Sequence, residues 1–156
     1  MNEAAVRTLD MLAARRATVA TAESLTCGLI AATLAQVPGA SRVLRGGLAA
    51  YATDVKVAVL GLDKTLVDSY GVISSECADA MAVRATSVFM SDWALASTGV
   101  AGPDPQEGHE VGTVYIAVAG PRIVRTQGLH LRGTREEIRV ATVEAALLLL
   151  SQMLAE

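Results

Sequence analysis

Apolar and polar positions alternate along this chain in two rhythms. Over Asn2–Arg16 the spacing is helical, with Ala5, Val6, Leu9, Leu12 and Ala13 on one face. Thr18–Glu23 is short and apolar and reads as a buried strand. Helical spacing returns over Thr26–Val37 and is stopped by Pro38-Gly39. Leu44–Ala52 reads as a second strand, whose Gly46-Gly47 marks a close backbone approach or a bulge. Thr53 is placed to cap a short helix ending near Gly61, and Asp63–Tyr70 predicts another, closed by Gly71. After Ser74, a good N-cap, Ala78, Met81, Ala82, Ala85, Val88 and Phe89 repeat at helical spacing. Trp93–Thr98 reads as a buried strand, and the Gly- and Pro-rich stretch Gly99–Glu110 as a loop. Gly112–Ala119 and Ile123–Leu131 predict a hairpin turning at Gly120-Pro121. Thr134-x-x-Glu137 is a capping box that opens the last helix.

Helices separating the early strands and a hairpin among the late ones predict an α/β fold, a mixed sheet covered on both faces. At 156 residues the chain fits one domain, 1–156. It is 52% hydrophobic but only 3% aromatic, so the core is built from Ala, Val and Leu and packs finely. A net charge of -3 leaves no basic footprint for nucleic acid. No uninterrupted apolar run approaches the ~20 residues of a membrane span, and the N-terminus carries no signal pattern, so a cytoplasmic protein is expected. Cys27 and Cys77 lack metal spacing and read as packing residues. His109 and His130 form no set with a serine and an aspartate, no HExxH occurs, and neither a P-loop nor GxGxxG is present. No metal and no cofactor are expected.

Three polar clusters interrupt the apolar pattern: Glu23-Ser24-x-Thr26-x-Gly28, Gly39-Ala40-Ser41 through Tyr51 to Lys56, and Ser97 to Pro103. Each lies at a strand end or a helix start, where ligands and the positive end of a helix dipole meet. With histidine set aside, serine and lysine remain as candidate chemistry. A serine hydroxyl needs a base, and lysine serves only when neutral. That requires its pKa to fall by roughly 3 units from about 10.4, or about 4 kcal/mol. Burial and the first turn of a helix, where Lys56 falls, both push it downward.

The ordered motifs Thr-Ala-Glu-Ser-x-Thr-x-Gly at 21–28, Gly-x-Ser at 39–41, Tyr-x-x-x-x-Lys at 51–56, Gly71-Val72-x-Ser74, and Gly99-x-Ala101-Gly102-Pro103 with Val111-Gly112-Thr113-Val114 resemble the CinA C-terminal domain family, the PncC-like nicotinamide-nucleotide amidases. The match spans nearly the whole chain. The resemblance implies a three-layer α/β/α sandwich around a mixed sheet, standing without the molybdopterin-binding-like domain of full-length CinA. It implies metal- and cofactor-free deamidation of nicotinamide mononucleotide (NMN) to nicotinate mononucleotide and ammonia by a serine/lysine pair, in pyridine-nucleotide salvage. It further implies a small-molecule nucleotide as partner and a homo-oligomer, with which the Ala- and Leu-rich helix faces are compatible. Carried over by residue, Ser41 is the expected nucleophile, Lys56 the base, and Tyr51 its positioner or proton relay. Ser24 is the rival nucleophile, with helix capping or phosphate contact as its other role. Glu23, Ser24, Thr26, Gly28, Thr98, Gly99, Ala101, Gly102 and Arg135 are expected to bind substrate, with Arg132 and Arg139 as further candidates for phosphate. The alternative is a non-catalytic nucleotide-binding or regulatory module of the same fold. Cys27 stands where the family carries glycine, Thr53 where it carries asparagine, His109-Glu110 for Lys-Pro, and Thr134 for the aspartate of Gly-Asp-Arg. Cys27 is the position at which a clash with ligand is expected.

Overall fold

The structure, a computed structural model, describes residues 1–156. The chain runs α1 (Glu3–Ala14), β1 (Val19–Glu23), α2 (Leu29–Ala35), a 3-10 turn (Ala40–Arg42), β2 (Leu44–Ala49), α3 (Thr53–Ala58), α4 (Lys64–Tyr70), α5 (Ser75–Phe89), β3 (Trp93–Gly99), β4 (Thr113–Gly120), β5 (Ile123–His130) and α6 (Arg135–Ala155). The five strands form one sheet in the order β2-β1-β3-β4-β5. β1 pairs in parallel with both β2 and β3, and β4 and β5 are antiparallel additions. The sheet is mixed and covered on both sides, as the pattern predicts.

Alternation along the strands sorts side chains by size. Leu95, Val114, Ile116 and Val118 face one way and pack with α1, α2 and α6 in one buried cluster. Their neighbours Ala94, Ala96, Ala117 and Ala119 face the other way and join Ala78, Met81, Ala82 and Ala85 of α5 in a second. Alanine on both surfaces lets α5 lie close to the sheet, which explains a tight core with few aromatics.

Local capping follows the sequence. Asn2 accepts from the Ala5 amide, Asp63 from Thr65, Ser74 from Cys77, and the capping box at Thr134–Glu137 forms in full. α2, expected from Thr26, starts instead at Leu29 because Gly28 is its N-cap in the left-handed region. β2 ends at Ala49 rather than Ala52, and α3 forms with no side-chain cap, Thr53 being its first residue. α6 corrects the reading of the apolar runs: it is long and apolar enough to cross a membrane by length and composition. Its Ile138, Leu147, Leu150 and Leu154 are buried inside the fold. Scattered polar residues had broken the run without breaking the face.

Candidate functional site

β1 delivers its C-terminal end to a pocket. Ser24, the first residue after the strand, donates its amide to Ser97 O on β3, at 2.9 Å, and so prolongs the parallel ladder by one bond. Side-chain alternation turns Thr21 and Glu23 toward α2 and leaves Ser24 facing α3. There Lys56 meets it: Nζ lies 3.0 Å from Ser24 Oγ, 2.8 Å from Ala50 O and 3.1 Å from Tyr51 O. Lys56 is only 1% exposed and has no carboxylate partner. Burial holds its pKa below the usual lysine value, opposed by Cys77 and Glu107 nearby. Burial also pushes the Cys77 thiol up to about 11. At neutral pH that thiol carries no charge, so it does not stabilise a lysine ammonium.

The three oxygens around Nζ accommodate either protonation state of the amine. A neutral amine has two N–H donors and one lone pair. The ammonium donates to all three oxygens; in the neutral amine the two donors satisfy Ala50 O and Tyr51 O, and the lone pair can take the Ser24 hydroxyl proton. The geometry is that of a base already in contact with its serine.

The pocket around this pair is a small polar cleft of about 90 Å³, below the roughly 300–1,000 Å³ of closed small-molecule sites. Its lining includes Leu25, Tyr51, Thr53, Val72, Ile73, Thr98, Gly99, Ala101, Gly102, Asp104, Gln106 and Arg135. Thr98 donates its hydroxyl to Val72 O, and the Val72 amide donates to Glu107. Those two bonds tie the loop after β3 to the turn before α5. Arg135 is held by Gly102 O and by the Tyr51 hydroxyl, the latter at 2.8 Å. The amides of Leu25, Thr26, Ala101 and Gly102 make no hydrogen bond within the protein.

Several expected site residues lie elsewhere. Ser41 is exposed on the 3-10 turn at the N-terminal end of β2, whereas Lys56 follows the C-terminal end of the same strand. Six residues of strand separate them, about 20 Å at ~3.3 Å per residue, so Ser41 does not meet Lys56. The serine beside the lysine is Ser24. Glu23 is fully buried and its carboxylate is saturated: it accepts from the Thr21 hydroxyl and from the amides of Gly28, Ile30 and Ala31 at 2.9–3.0 Å. It caps α2 from within the protein, and the helix end expected to attract an anion is already filled. Gly28 is part of that cap and does not reach the pocket. The Thr26 hydroxyl is buried against Ser97 Oγ at 2.6 Å. Arg139 donates to Leu25 O and Thr26 O, so it braces the turn after Ser24, and Arg132 is exposed outside the lining. Tyr51 serves Lys56 through its carbonyl, not its hydroxyl. Cys27 is exposed at φ +48° and is absent from the lining, so the expected clash does not arise. Asp104 and Gln106 escaped the sequence reading. Their only signal was polarity within a Gly/Pro-rich loop.

Comparison with known proteins supplies the wider setting. The model of the CinA C-terminal domain matches residues 1–154. A CinA-like protein of Frankia casuarinae is 48% identical over 147 residues, 94% of this chain and 34% of its own length. A CinA-like protein of Fervidobacterium nodosum is 39% identical over 131 residues, 83% of this chain and 32% of its own. The chain thus spans about a third of the length of the curated relatives it matches. Among solved structures, the competence/damage inducible protein CihA from Agrobacterium tumefaciens superposes with a TM-score of 0.93 at 33% identity, covering 99% of this chain and 94% of that one. A CinA superfamily protein from Klebsiella pneumoniae gives 0.96 at 28% identity, with 99% of both chains covered.

Proposed function

Because the chain belongs to the CinA C-terminal domain family, we propose that its pocket hydrolyses the carboxamide of NMN to nicotinate mononucleotide and ammonia. The observation that carries this reading is the contact of Lys56 Nζ with Ser24 Oγ at 3.0 Å, made by an amine that is buried, unpaired with any carboxylate and lowered in pKa. Lys56 takes the Ser24 proton as Oγ attacks the amide carbon. The resulting oxyanion is received by the free amides of the turn after Ser24, Leu25 foremost. Lys56 then returns the proton to the departing nitrogen, ammonia leaves, and Ser24 holds the acyl group as an ester. Water, losing a proton to Lys56, attacks that ester; the carboxylate product leaves and the serine is restored. Arg135, fixed by Tyr51 and Gly102, supplies the positive charge for the phosphate, with the Ala101 and Gly102 amides beside it.

The test is ammonia release from NMN by the purified protein, its Ser24→Ala and its Ser41→Ala variants. Release by the wild type and Ser41→Ala but not by Ser24→Ala is expected. Full turnover by Ser24→Ala would sink the mechanism. The lining offers one carboxylate and neither imidazole nor thiol, so activity is expected to survive EDTA.

A further inference from the structure

The pocket holds one charged group the mechanism leaves unused. Asp104, between Pro103 and Pro105, lines the cavity. Its carboxylate belongs to neither side-chain ion pair of the protein, which are Lys64–Asp68 and Arg125–Glu156. Arg135 lines the same cavity and is held by a carbonyl and a phenol, not by Asp104. One lining therefore presents an unpaired carboxylate and a guanidinium without an acidic partner. A surface of this kind complements a ligand that carries both signs of charge.

A quaternary pyridinium nitrogen has no N–H to donate. It can be recognised only through its charge, by an anion or by an aromatic face. Tyr51 is the sole aromatic residue of the lining, and its hydroxyl is engaged by Arg135. Asp104 is the sole anion. We infer that Asp104 is a specificity residue that recognises the positive pyridinium ring, so that the site selects oxidised nucleotide amides over their uncharged dihydropyridine counterparts. This rests on the reading of the pocket as an NMN amidase site.

The experiment compares NMN with its reduced form, which keeps the phosphate, the ribose and the carboxamide but loses the ring charge. Affinities are measured by calorimetry on Ser24→Ala and on Ser24→Ala/Asp104→Asn, neither of which turns the ligand over, while ammonia release from NMN is measured on the wild type. Asp104→Asn is expected to weaken NMN binding about tenfold, the factor that ~1.4 kcal/mol of lost attraction produces, and to leave the reduced nucleotide within about twofold. Asp104→Glu is expected to restore the preference for the oxidised form. Equal weakening of both nucleotides, or of neither, overturns the role of Asp104 while the amidase reading stands on ammonia release. Absence of both binding and release overturns the amidase reading, and this inference with it.

Discussion

A lysine that touches a serine is useful only if it arrives without its proton, and burial pushes Lys56 in that direction. In the neutral amine two carbonyls accept both donors and leave the lone pair for Ser24, while Glu107 nearby opposes the lowering. Ser24→Ala is therefore expected to lower kcat by at least about 10³-fold, in the range seen when a nucleophile is removed from an activated pair. Ser41→Ala, at an exposed turn, is expected to leave kcat within about twofold. Steady-state assays with circular dichroism as a folding control separate the two. The pH dependence has a definite sign. Since the base form is active, kcat/KM rises as Lys56 loses its proton, in a limb lying below the 10.5 of an ordinary lysine. The same lowering links to stability. Between the folded pKa and 10.5 the unfolded chain binds more protons than the folded one, so stability rises with pH across that window. Urea midpoints measured through it are expected to climb for the wild type and to flatten for Lys56→Met.

At the scale of elements, the strand-to-helix segment after β1 works because its own carboxylate closes it. Glu23 gathers three amides of α2 and one hydroxyl, and that is what leaves Ser24 at the mouth of the strand facing Lys56. Glu23→Gln puts an NH2 where two of these four donors need an acceptor. A cost of about 2–4 kcal/mol is expected from the lost charge-assisted bonds and the unsatisfied donors, read as a lower urea midpoint. A second element-scale demand sits where β4 begins. Gly112 has φ +90°, and a Cβ there would come within 1.8 Å of Leu131 O. Its amide also donates to Val100 O, which shapes the loop that carries Ala101 and Gly102. Gly112→Ala is expected to lower stability by more than about 1 kcal/mol and to raise KM, as the loop loses its anchor. A variant with wild-type stability and KM would refute this account.

For the molecule as a whole, two clusters of apolar residues clamp one sheet, and the site lies beyond the carboxyl ends of the parallel strands β1 and β3. Removing buried volume far from that edge tests whether stability and chemistry are separable. Leu150 of α6 is fully buried in the cluster on the larger-residue face. Leu150→Ala is expected to cost about 3–5 kcal/mol in chemical denaturation, with kcat and KM of the folded protein unchanged. A collapse of kcat in protein that remains folded would show that core and site are coupled. The opposite end of the energy scale is the exposed Arg125–Glu156 pair, whose removal is expected to leave the melting temperature within about a degree.

The sequence by itself determined a great deal. Strand and helix periods, the caps at Ser74 and Thr134, and the hairpin at Gly120-Pro121 are written in local spacing, and local spacing is enough because caps and amphipathic faces act within a turn or two. The family, too, is legible in ordered motifs, and with it Lys56, Thr98 and Arg135 as residues of interest. The serine was not legible. Ser24 and Ser41 both sit in short polar motifs, and nothing local distinguishes them. The distinction is made by β2, which carries the chain from one end of the sheet to the other and so puts Lys56 beside one serine and a strand's length from the other. The sequence likewise could not show that the Glu23 carboxylate is consumed by α2, since that depends on which face of β1 it projects from and what packs there. Asp104 enters the pocket only because the loop after β3 is tied to the turn before α5 by Thr98 and Glu107. Contacts between residues distant along the chain are decided by topology, and only the folded molecule displays that.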